Sequence, residues 1–70
     1  MAGTFIKDVN THIAQFGVEL VRGKGYFYFA DITDEPVADK IPSVYTLYLR
    51  SMTFRQWYLH VENAVTENSN

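Results

Sequence analysis

Gly23-Lys24-Gly25 constrains this chain more than any other stretch. It separates two short runs, Val18-Glu19-Leu20-Val21-Arg22 and Tyr26-Phe27-Tyr28-Phe29-Ala30, both rich in β-branched or aromatic residues. Runs of that composition bounded by glycine read as strands. A glycine-rich step between them closes a hairpin, because glycine reaches backbone conformations that other residues resist. Successive strand side chains point to opposite faces. Val18 and Leu20 therefore share one face and Glu19 and Val21 the other; Phe27 and Phe29 are likewise separated from Tyr26 and Tyr28.

Ser43-Val44-Tyr45-Thr46-Leu47-Tyr48-Leu49 is a second aromatic and β-branched run. It predicts a third strand beside the second, which gives a three-stranded antiparallel meander. Its alternation places Tyr45, Leu47 and Leu49 on one face and Val44, Thr46 and Tyr48 on the other. The connection from Asp31 to Pro42 carries two prolines and four acidic residues (Asp31, Asp34, Glu35 and Asp39). It is long for a hairpin loop and is expected to be mobile or to shape a site.

Helices are expected on both sides of the sheet segment. Over Thr4 to Phe16, at about 100° per residue, Phe5, Ile6, Val9, Ile13 and Phe16 fall in one stripe. Thr4 is a suitable N-cap and Gly17 a suitable C′ residue. The second helix begins at Thr53, where Thr53-Phe54-Arg55-Gln56 has the capping-box spacing and Met52 is placed to staple onto Trp57. Its inner stripe is Phe54, Trp57, Tyr58, Val61 and Val65, with Leu59 on the outer side. The polar segment 66–70 has no apolar anchor and is expected to fray.

The order is helix, three strands, helix. This predicts an α+β fold of two layers, with both helices on the Phe27/Phe29 face of the sheet. All 70 residues are expected to form a single domain. A domain this small buries only about 60% of the surface its unfolded chain exposes. There is no cysteine to staple it, so stability must come from aromatic packing or from self-association. Five Phe, five Tyr and one Trp are dense for this length and supply the first. The chain has no apolar run long enough to span a bilayer. The segment from Met1 to Lys7 lacks the apolar core of a secretory signal, and a cytoplasmic location is expected.

No motif carries chemistry. His12 and His60 lie on different helices without a local partner at ligand spacing, and the acidic residues of 31–42 do not follow a calcium-loop pattern. Gly23-Lys24-Gly25 joins two strands, unlike a phosphate-binding loop, which leads into a helix. Ser43, Ser51 and Ser69 have no nucleophile-elbow context. No enzyme activity, metal or cofactor is expected. A catalytic reading would require Asp34 or Asp39 to converge on His12 or His60 at a subunit boundary.

Lys24-Gly25-Tyr26-Phe27-Tyr28-Phe29 partly resembles the aromatic strand motif of RNA-recognition domains, in which bases stack on aromatics of an open sheet. Phe27 stands where that motif has a small residue, Asp31 stands where it has an aromatic, and the strand before the first helix is missing. The net charge of −2 also argues against a nucleic-acid partner. More broadly, the pattern from Glu19 to Trp57 resembles a group of small uncharacterised bacterial proteins, some found among phage or mobile-element genes. That resemblance rests on the glycine turn, Tyr26-Phe27-Tyr28-Phe29, Ser43-Val44-Tyr45 and the capped helix with Gln56-Trp57. It implies a small accessory protein that binds rather than catalyses.

The expected function is therefore a small protein–protein interaction module that forms a homodimer through the aromatic face of its sheet. The candidate surface is Val21, Lys24, Tyr26, Tyr28 and Tyr48, rimmed by Glu19 and Arg22, with Leu59 as a second contact. The alternative is a single-stranded nucleic-acid binder that uses the same tyrosines with Lys24.

Overall fold

The computed structural model describes residues 5–67. The fold is α+β, with helix α1 (Ile6–Ile13), strands β1 (Val18–Arg22) and β2 (Phe27–Asp31), and helix α2 (Phe54–Glu67). Three short 3-10 turns, Ala14–Phe16, Ala38–Lys40 and Leu49–Ser51, join these elements. Among the described residues no helix is long and apolar enough to cross a membrane.

The hairpin forms where the glycine step places it. β1 and β2 pair antiparallel, with Leu20 opposite Phe29 and Val21 opposite Tyr28. Bonds from the Gly23 N–H to the Tyr26 carbonyl (2.8 Å) and from the Ile32 N–H to the Gly17 carbonyl (3.0 Å) bracket the ladder. Gly25 takes φ +83°, a left-handed conformation that favours glycine. Because bonded and non-bonded rungs alternate in an antiparallel pair, the backbone groups of Val18, Leu20 and Arg22 point out from the free edge of β1. Those of Phe27 and Phe29 point out from the far edge of β2.

Each edge gains one further rung. On the β1 side, the Asn10 side-chain amide bonds both backbone groups of Leu20. On the β2 side, Val44 and Phe27 exchange two backbone bonds of 2.8 and 2.9 Å. That bridge is all that forms of the third strand expected over Ser43–Leu49, so among the described residues the sheet has two strands. The physical cause lies one residue further on. The Thr46 N–H turns back to the Val44 carbonyl (3.2 Å), a three-residue turn that ends the ladder. The Thr46 hydroxyl then bonds Ser51 Oγ at 2.7 Å, which holds the segment as a loop.

Alternation in β1 and β2 matches expectation. Val18, Leu20, Phe27 and Phe29 are buried with Val9 and Ile13 of α1 and with Trp57, Val61 and Ala64 of α2 in one core, which Ile41 and Leu49 complete. The Trp57 ring meets Phe27 edge to face at 5.4 Å, and its indole N–H donates to the Leu49 carbonyl at 2.8 Å. That bond draws Leu49 inward. Leu47 and Tyr45, expected on the same inner face, are instead 65% and 83% exposed.

The helix ends are set locally. At α2, the Thr53 N–H donates to Gln56 Oε1 (2.8 Å) and the Gln56 N–H to Thr53 Oγ1 (3.2 Å), a complete capping box. Met52 packs against the core beside it. α1 runs into the 3-10 turn and stops at Gly17, φ +82°. Its expected N-cap, Thr4, lies outside the described residues. Phe5 occupies the N-cap position with extended backbone (φ −118°, ψ 140°) and is exposed, so it does not join the inner stripe. Of the segment 66–70, Thr66 and Glu67 belong to α2, and the rest lies outside the described residues.

The connection 31–42 is tied down. Asp31 Oδ1 accepts the N–H groups of Val37 (2.8 Å) and Ala38 (2.7 Å) and so caps the Ala38–Lys40 turn from the end of β2. Ile41 is buried, and the Pro42 carbonyl accepts a bond from His60 Nε2 at 2.8 Å.

Candidate interaction surface

The outward face of the hairpin carries three rungs: Glu19 with Ala30, Val21 with Tyr28, and Gly23 with Tyr26. Glu19 and Tyr28 are exposed, and Val21, Ala30 and Tyr26 are half-buried. Lys24 is exposed at the tip of the turn. The Tyr26 ring lies over Gly23 so closely that a Cβ on Gly23 would sit 2.6 Å from Tyr26 Cζ. Glycine at 23 is thus what lets the ring lie flat against the turn.

Three tyrosines form a continuous array. The Tyr26 ring centroid is 5.8 Å from that of Tyr28 and 6.0 Å from that of Tyr45, with interplanar angles of 35° and 34°. Leu47 extends the array toward the turn, since its Cδ2 lies 3.9 Å from where a Cβ on Gly25 would be. Tyrosine offers a rigid apolar body with a polar tip, the combination favoured at protein contacts.

The sequence-derived surface is thus assembled in part. Val21, Tyr26 and Tyr28 share the hairpin's outer side, as the period of two requires; Lys24 stands in the turn at the end of that face, where it is exposed. Tyr48 is exposed but takes a different neighbour, the Arg50 guanidinium 5.0 Å from its ring centroid. Leu59 is half-buried on α2. Arg22, placed on the rim from sequence, reaches to the opposite side and covers the Phe27 ring at 4.9 Å. Tyr45 and Leu47 are the members that strand alternation misassigned. No residue pattern announces the turn at Val44–Thr46 that brings Tyr45 outward.

The histidines serve packing. His60 stacks on Phe29 with centroids 5.6 Å apart. His12 meets Phe54 edge to face at 4.6 Å, and its Nδ1 bonds the Asp8 carbonyl at 2.9 Å. A carbonyl only accepts, so each of these ring nitrogens carries a proton. Among the described residues no three His, Cys, Asp or Glu side chains converge as metal ligands would. An open cleft of about 240 Å³ is lined by Lys40, Pro42, His60, Asn63, Ala64 and Glu67. It is smaller than ordinary small-molecule sites, which begin near roughly 300 Å³. Comparison with protein-family models, curated proteins and solved structures returns no match.

Proposed function

We propose that this protein is a small cytoplasmic, non-catalytic interaction module that self-associates as a homodimer through the outer face of its hairpin. The observation that carries the reading is the ring array of Tyr26, Tyr28 and Tyr45, extended by Leu47, on the side of the hairpin opposite the core. A contiguous exposed patch of this kind marks a contact site on a small protein. Its burial would add to the small core of a 70-residue chain that has no cysteine to form a disulfide. The engagement of His12 and His60 with backbone carbonyls and aromatic rings supports a structural rather than a catalytic use of both.

Light scattering behind a sizing column, over a concentration series, tests the reading. The expected mass is twice that of the protomer. Tyr28→Ala should shift the equilibrium to monomer while leaving the unfolding midpoint of the monomer nearly unchanged, because Tyr28 lies outside the core. A monomer at every concentration overturns self-association. The nucleic-acid alternative then becomes the reading to pursue, provided mixed single-stranded oligonucleotides are retarded at low salt and released as salt rises.

A further inference from the structure

The outer face of the hairpin differs from one end to the other, and the difference bears on how a second copy lies against it. One end is acidic and shallow, formed by Glu19 and the small side chain of Ala30. The other is basic and bulky, with Lys24 at the tip and the Tyr26 ring over Gly23 beside Tyr45. The Val21/Tyr28 rung lies between them. We propose that the second copy packs face to face on this surface with its strands antiparallel to those of the first, about a two-fold axis that runs across the strands at the Val21/Tyr28 rung. The inference rests on the self-association reading above and adds the orientation of the partner.

Closed homodimers are two-fold symmetric and self-complementary. For two sheets face to face with strands aligned, the axis lies between the sheets, either along the strands or across them. An axis along the strands stacks like ends together: Glu19 comes to the second copy's Glu19, and Lys24 to the second copy's Lys24. An axis across the strands reverses one copy end for end. Glu19 then faces the second copy's Lys24, twice over, and the Tyr26 ring sits over the hollow at the second copy's Ala30. Charge and size both select this second arrangement. Arg22 does not disturb the pairing, because its guanidinium is on the core side over Phe27. Rim pairs of this kind add little affinity but fix orientation and register.

Charge reversal with complementation tests the orientation. E19K places lysine opposite lysine, and K24E places glutamate opposite glutamate, so each variant alone should dimerise about tenfold more weakly than the parent at low salt. An equimolar mixture should recover near-parental affinity. Position 19 of the E19K chain then faces position 24 of the K24E chain with the two charges exchanged, and the unaltered Lys24 and Glu19 of the same two chains keep the native pair. The E19K/K24E double variant should also dimerise like the parent. Sedimentation equilibrium on the parent, the single variants, their mixture and the double variant reads the outcome, with circular dichroism as the check on folding at these two exposed positions. If the single variants dimerise as tightly as the parent, or if they weaken and the mixture does not recover, the antiparallel orientation is overturned while self-association stands. A monomeric parent overturns both.

Discussion

The Asn10 side chain bonds both backbone groups of Leu20: its Nδ2 donates to the Leu20 carbonyl at 3.3 Å, and its Oδ1 accepts the Leu20 N–H. A side-chain amide has the same donor and acceptor as a peptide unit, so Asn10 stands in for one residue of a neighbouring strand. The effect is to cover the middle of the free edge of β1, where unpaired backbone would invite pairing with another chain. It also fixes α1 against the hairpin at one register, through residues ten positions apart in the chain.

Asn10→Ala removes both bonds and leaves Leu20 backbone groups partly buried without a partner. The expected loss is about 2 kcal/mol, one hydrogen bond's net worth for each of two bonds. Asn10→Asp keeps the acceptor for the Leu20 N–H but sets a carboxylate against the Leu20 carbonyl, and should recover little. Urea unfolding followed by circular dichroism measures the loss. A change in stability below roughly 0.5 kcal/mol for Asn10→Ala would mean that water replaces the amide freely.

Trp57 also bonds the backbone of another segment, at the Leu49 carbonyl. Trp57→Phe keeps an aromatic ring against Phe27 but removes the donor to the Leu49 carbonyl, 2.8 Å away. A destabilisation of about 1–3 kcal/mol is expected from the lost indole hydrogen bond and the smaller ring, although the Leu49 carbonyl keeps its longer bond from the Met52 N–H (3.4 Å). Hydrogen exchange should show a local signature as well: amides of Ser51 and Met52, which close the Leu49–Ser51 turn, should lose protection more than those of β1.

What could be read from the sequence follows the range of the interactions involved. The hairpin, the capping box at Thr53 and Gln56, and the helix stop at Gly17 all depend on residues within a few positions of one another, and periodicity exposes them. The buried alternation of Val18, Leu20, Phe27 and Phe29 was equally legible. Ser43–Leu49 was not, because its strand propensity competes with contacts that sequence spacing does not display: Thr46 to Val44 and Ser51, and the Trp57 indole to Leu49. Once that segment bends, the face assigned to Tyr45 and Leu47 inverts, and the aromatic surface gains those two residues while Tyr48 turns to Arg50. The roles of Asn10 and Asp31 were hidden for the same reason. Both are polar residues whose partners lie several positions away.

Asp31 organises the connection between β2 and the Ala38–Lys40 turn through the N–H groups of Val37 and Ala38. Asp31→Ala should free that segment without unfolding the core, because Asp31 itself is exposed. Limited trypsin digestion provides the readout, with faster cleavage after Lys40 expected in the variant. Asp31→Asn retains an acceptor oxygen and should be cut at an intermediate rate. Equal rates for parent and both variants would show that the buried Ile41 alone holds the segment.

Gly23 and Tyr26 are coupled through space rather than through backbone conformation. Gly23 φ lies outside the left-handed region, so alanine meets no conformational barrier there; its Cβ instead meets the Tyr26 ring at 2.6–2.9 Å. Gly23→Ala must therefore displace the ring, at a cost of about 1–3 kcal/mol, the usual range for overpacking. Tyr26→Ser removes the obstacle. The double variant should be more stable than the sum of the two single changes predicts, with a coupling above about 0.5 kcal/mol, as for residues in direct contact. Gly25→Ala has no such neighbour and is strained by its φ of +83° alone. Its cost of about 1 kcal/mol should be independent of Tyr26. The pair of double-mutant cycles distinguishes the two glycines. If Gly23→Ala disperses the Tyr26 ring as expected, it should also weaken the proposed self-association, because the displaced ring is the centre of the array that links Tyr28 to Tyr45.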